Sequence, residues 1–111
     1  RRRDKGFDWL ILNSLKGEKI DKIEISTHHF KGNYPSHFSL QAAYIPNIRS
    51  SYAIVKNSNK WKFLLNKKNL SANKNHVFRN KLMKKDKINF IKINIFPDGG
   101  ISRFKIFGKS I

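Results

Sequence analysis

Apolar and polar residues alternate with a period of two over much of this chain, most clearly towards its end. Ile91, Ile93 and Ile95 alternate with Lys92, Asn94 and Phe96. Successive side chains of a strand point to opposite faces, so this is a strand pattern. Pro97-Asp98-Gly99-Gly100 breaks the run and Ile101 to Phe107 resumes it. Pro withholds a donor and Gly tolerates positive φ, so 89–108 is expected to form a β-hairpin. The same reasoning places strands at 8–12, 19–27, 37–44, 60–65, 88–96 and 101–107, all rich in Ile, Phe or Tyr. Turn-rich pieces lie at 13–17, 31–35, 46–59 and 66–75. No segment holds helical spacing over three turns, although 78–87 is compatible with one short basic helix. Short strands punctuated by Gly, Pro and Asn predict an all-β sandwich.

Four blocks of sequence narrow this further. The chain opens on Arg1-Arg2-Arg3-Asp4-Lys5-Gly6-Phe7-Asp8-Trp9, an Arg run followed by an Asp-Trp that starts an apolar strand. Next, Thr27-His28-His29-Phe30-Lys31-Gly32-Asn33-Tyr34-Pro35 closes a strand with a Thr-x-His-Phe-x-Gly-Asn-x-Pro loop. Trp61, Leu64-Leu65, Leu70, His76 and Phe78 form the third block, and the 89–108 unit the fourth. In this order and spacing they resemble the allantoicase family over nearly the whole chain. The resemblance implies a jelly-roll β-sandwich, galactose-binding-domain-like. It also implies that residues 1–111 make one module, a fragment of a longer protein with two such repeats. The acidic and aromatic segment that precedes the Arg run in the family is not among these residues. The sequence departs from the family pattern in three places: Phe7 replaces a common His, Ser26 a frequent Asp, and Asn66-Lys67-Lys68 a Pro-Arg-Thr-like stretch. An Asp beside a His would orient its imidazole, so Ser26 alters that setting.

Composition bounds the rest. The 111 residues suit one domain with a single core, and 39% hydrophobic residues favour folding over disorder. No apolar run approaches the roughly 20 residues that a membrane-crossing helix needs, so no membrane partner is expected. The absence of cysteine excludes disulfides, thiolate metal sites and Cys nucleophiles. A formal charge of +17 invites a nucleic-acid reading, since Lys and Arg release counterions from phosphates. Yet the charge is mostly lysine scattered along the chain, beside abundant Asn and Ile, as AT-rich coding would produce. No nucleic-acid partner is expected; a positive field would still attract a small anionic substrate.

The activity that the resemblance implies is hydrolysis of allantoate to ureidoglycolate and urea, in purine degradation; a cytoplasmic setting and no cofactor or metal are expected beside it. Such chemistry needs a cation for the carboxylate, partners for the urea groups and an acid for the leaving nitrogen. Carried over residue by residue, the catalytic candidates are His29 and His76, and the substrate-binding candidates are Arg2, Arg3, Thr27, Asn33 and Asp8. Most have a plainer alternative. Arg2 and Arg3 can be a solvated terminus, His29 can pack at a strand end, Asn33 can stabilise its turn, and Asp8 can pair with an Arg or cap a strand. His28 and His29 are adjacent, so on a strand they would face opposite ways. Arg103 also fits the pattern and could face solvent or the cleft. The expected partners are allantoate and either further copies of the chain or a second repeat. The alternative function is a non-catalytic jelly-roll module binding a small anion or a carbohydrate, for which exposed Tyr34, Tyr44 and Tyr52 would be the sign.

Overall fold

A computed structural model describes residues 7–30, 32, 34–47, 50–79, 82–83, 87–97 and 99–110, with the backbone alone for 15, 16, 109 and 110. The elements run β1 (Asp8–Ser26), β2 (His37–Ala43), α1 (Ser51–Ser58), β3 (Lys62–Asn69), β4 (Asn75–Phe78), β5 (Ile88–Phe96) and β6 (Arg103–Ser110). The six strands are antiparallel, in the order β3-β2-β5-β1-β4 with β6 also on β1.

The sheet becomes a sandwich because β1 belongs to both leaves. Its first part pairs with β5, from Asp8 opposite Ile95 to Asn13 opposite Phe90. Its second part pairs with β6, from Glu18 opposite Ser110 to Ser26 opposite Arg103, and with β4 over Ile23 to Ser26. A straight strand of 19 residues would span about 60 Å at a rise of about 3.3 Å per residue. The longest dimension of the molecule is 40 Å. The strand must therefore bend, and its register breaks between Asn13 and Glu18. The turn expected at 13–17 is thus a corner within one strand, since partners on both sides keep the backbone extended. Between the leaves, Ile20, Ile23 and Ile25 join Phe38, Leu40, Leu64, Leu65, Ile91 and Ile93 in one buried cluster.

The expected hairpin at 89–108 does not form. Both edges of β5 are occupied, by β1 and β2, so the chain crosses to the other leaf and β6 pairs with β1. Two short elements escaped the sequence pattern. Helix α1 has eight residues, too few for periodicity to register, and Ser50 caps it by accepting from the Ala53 N–H at 3.3 Å. Strand β4, four residues long, begins inside the 66–75 stretch taken for a turn. The short basic helix expected at 78–87 is overturned. Phe78 ends β4, and the described residues after it are not helical. Leu82 is buried and the Met83 N–H donates to Leu64 O at 2.7 Å, which holds this segment against β3.

Candidate functional site at the loop rim

Strand β1 returns to its starting end once it has crossed the corner, so the loops after β1, β3 and β5 meet at one rim. Ser102 donates its N–H to Ser26 O at 2.9 Å, and its hydroxyl lies 3.2 Å from Ser26 Oγ. Thr27 is fully buried; its hydroxyl donates to Ser71 O and accepts from the Lys74 N–H at 3.1 Å. The Ser36 N–H donates to Phe96 O at 2.9 Å, and the Leu70 N–H to Ser36 O at 3.0 Å. The two Gly- and Pro-bearing loops are nested. Gly99 has φ +133°, and a Cβ there would lie 2.6 Å from Pro35 N; one on Gly100 would strike the Phe30 ring. Only glycine permits that approach.

His28 and His29 are exposed and lie beyond β1, in the turn closed by the Phe30 N–H on Thr27 O at 2.9 Å. The strand geometry expected for them therefore does not apply. His29 takes φ +73°, an uncommon conformation for a residue with a Cβ. Its N–H donates to Asn73 Oδ1 at 2.9 Å, while the Asn73 N–H donates to Phe30 O at 3.1 Å. Backbone strain of this kind persists where surrounding bonds over-determine it, and it gathers at functional sites. Ser26 Oγ, at the position of the frequent Asp, accepts the His28 N–H at 3.2 Å.

His76 is buried on β4 beneath the same loops. Its Nδ1 lies 3.1 Å from Ile25 O and its Nε2 2.9 Å from the Ser71 N. A carbonyl only accepts and an amide only donates, so the ring is neutral with its proton on Nδ1. An imidazole held at both nitrogens braces the 70–76 loop against β1. The structure brings the loops bearing His29 and His76 together through Thr27, Ser71 and Asn73, yet leaves His76 no free nitrogen.

Asp8 starts β1 at this rim and lines a cavity of about 320 Å³ with Trp9, Ile101, Ser102 and Arg103. Residues of two separate blocks thus border one space. Phe7 stacks on Phe96 at 5.2 Å between centroids, and His37 stacks on the same ring at 4.9 Å. Arg2, Arg3 and Asn33 lie outside the described residues. Among the described residues, no three His, Asp or Glu side chains are grouped so as to hold a metal ion. Of the tyrosines, Tyr34 packs against the core, Tyr44 carries Lys87 Nζ 4.9 Å above its ring, and Tyr52 is exposed on α1. The sequence reading did not single out Ser71, Asn73 or Ser102, whose polarity looks like ordinary loop composition until their long-range partners are seen.

A family model described as the Allantoicase repeat matches residues 1–111. The chain belongs to the allantoicase family. It is 44% identical over 109 residues to a protein named "Probable allantoicase" from Acinetobacter baumannii (strain AYE), covering 98% of this chain and 32% of that relative. A family member from Burkholderia mallei, "Probable allantoicase 1", is 40% identical over 108 residues, covering 97% and 32%. The crystal structure of allantoicase from Saccharomyces cerevisiae superposes with a TM-score of 0.75 at 25% identity, over 97% of this chain and 29% of that one. The chain therefore spans about a third of the length of the curated relatives it matches.

Proposed function

We propose that this chain is one module of an enzyme that hydrolyses allantoate to ureidoglycolate and urea, in the cytoplasm, with a second repeat or further copies of the chain completing it. The observation that carries the reading is the convergence of family-matched blocks, far apart in sequence, on one hydrogen-bonded rim that borders the Asp8–Arg103 cavity. In the reaction the oxygen of water bonds to the central carbon of allantoate and the bond from that carbon to one urea nitrogen breaks. A water proton ends on the departing urea. His29, exposed on its strained turn, is the proton donor. Arg2 or Arg3, with Arg103, holds the carboxylate by paired guanidinium bonds. Asn33 and Asp8 address the urea groups, and Thr27 and His76 keep the His29 turn in place. The net charge of +17 serves to draw in the anionic substrate rather than nucleic acid.

Urea release from allantoate is the assay, run on the longer two-repeat protein and on the present chain. Replacing a general acid costs about 100-fold or more in turnover, so His29→Ala should lose at least that with an unchanged melting temperature. A loss under about tenfold removes His29 from the chemistry. No urea release from the longer protein removes the function itself.

A further inference from the structure

The outer face of the leaf formed by β2, β3 and β5 is unusual for a sheet face read as solvated. Ser39, Gln41, Lys92 and Asn94 lie on it, and all are buried; Lys92 is 5% exposed and Asn94 3%. The segment from α1 to Trp61 closes one side. Gln41 Nε2 donates to Asn59 O at 3.1 Å and to Trp61 O at 3.0 Å, which fixes its amide orientation. Gln41 Oε1 must then accept, and it does so from Asn94 Nδ2 at 3.0 Å. Asn94 Nδ2 also reaches Ser39 Oγ at 3.3 Å. This chain of bonds determines which way Asn94 faces, and its buried Oδ1 is left with no donor among the described residues.

Lys92 stands beside it, two residues earlier on the same face of β5. Its ammonium donates to Ser58 Oγ at 3.0 Å and lies 5.1 Å from the Trp9 ring centroid. Removal from water pushes its pKa below the ordinary lysine value. An ammonium has three hydrogens to donate, and a buried cation is costly unless a negative group faces it. Lys92 and Asn94 both line a cavity of about 260 Å³, whose other walls include Phe7, Phe63, Lys67 and Phe96. Lys67 Nζ lies 4.4 Å from the Phe96 ring, so a second cation borders the same space. The residues lining the cavity thus bring together two lysines, an asparagine whose Oδ1 has no donor among the described residues, and aromatic walls.

We propose that this cavity is a binding site for a small carboxylate carrying an amide-type N–H, with the carboxylate on Lys92 and the N–H directed to Asn94 Oδ1. The site is separate from the rim chemistry and does not rest on the hydrolytic reading. N-acetylglycine is the probe, because it holds both groups in one small molecule. Acetate and N-methylacetamide each offer one half. Titrated into the chain by NMR, N-acetylglycine should saturate, shift the Asn94 side-chain amide and the Trp9 indole signals, and give contacts between its methyl group and the Phe63 ring. Each half-molecule should bind at least about tenfold more weakly, as each lacks one partner of a buried polar group. Lys92→Met should lower affinity by a similar factor while the chain remains folded. Absence of saturation, equal binding of acetate, or unchanged affinity in Lys92→Met would overturn the proposal. If Lys92→Met does not fold, the methyl–Phe63 contacts in the unaltered chain decide it, and their absence is a negative answer.

Discussion

A neutral imidazole has one donor and one acceptor, and His76 uses both on backbone groups, Ile25 O and the Ser71 N–H. Lys92, also buried, has only a serine hydroxyl and an aromatic face as partners of its ammonium among the described residues. The two residues should therefore respond to removal with opposite sign. His76→Ala leaves two buried backbone groups unpaired and should lower stability by about 2–3 kcal/mol in denaturant unfolding. Lys92→Met removes a desolvated charge and should raise stability by about 1 kcal/mol near neutral pH. The second effect depends on pH in a determined direction. Burial holds the folded-state pKa of Lys92 below the 10.5 of a free lysine. Between those two values the unfolded chain binds the proton and the folded one has released it, so stability rises with pH. The gap between Lys92→Met and the unaltered chain should therefore close as pH climbs towards 10. A gap that widens there would contradict the assignment of a desolvation penalty to Lys92.

At the level of elements, what builds the rim is the refusal of β5 and β6 to pair. A hairpin would have confined the Pro97–Gly100 loop to one leaf. Crossing to the other leaf brings Gly99 and Gly100 against Tyr34, Pro35 and Phe30, so the loop wedges beside the His29 turn. Gly99 is the sensitive position, combining φ +133° with backbone atoms 2.6 Å from where a Cβ would sit. Gly99→Ala should lower stability by about 2 kcal/mol or more. It should also shift the amide signals of Tyr34 and Ser36, whereas a loop merely exposed to solvent would tolerate the change. The corner in β1 acts in the same way at larger scale. One extended element, bent where its register breaks, supplies strands to both leaves and carries Asp8 and Thr27 to the same end.

For the whole molecule, the dominant feature is charge. With 24 Lys and Arg against 7 Asp and Glu, like charges repel across a body only 29 Å and 19 Å in its shorter dimensions. Those distances are two to three Debye lengths at about 0.1 M salt and less than one at about 0.01 M. Raising sodium chloride from about 10 mM to about 150 mM should therefore raise the melting temperature by several degrees. A fall over that range would mean that local ion pairs, such as Lys22–Glu24 at 3.1 Å, outweigh the general repulsion.

The sequence alone determined that the chain is all-β, where most of its strands lie, and which blocks belong to the allantoicase family. Those properties are local: a period of two in Ile91 to Ile95, and a Thr-x-His-Phe motif that occupies consecutive positions. Pairing was decided only by the tertiary structure, because alternation marks a face and not the strand that covers its edge. Hence the 89–108 unit looked like a hairpin, and nothing in the alternation marked Lys92 and Asn94 as buried beside α1, Phe7 and Phe63. The roles of Ser71 and Asn73 were hidden for the same reason. A polar loop residue acquires meaning from its partner, and theirs lie more than 40 positions away, at Thr27 and His29.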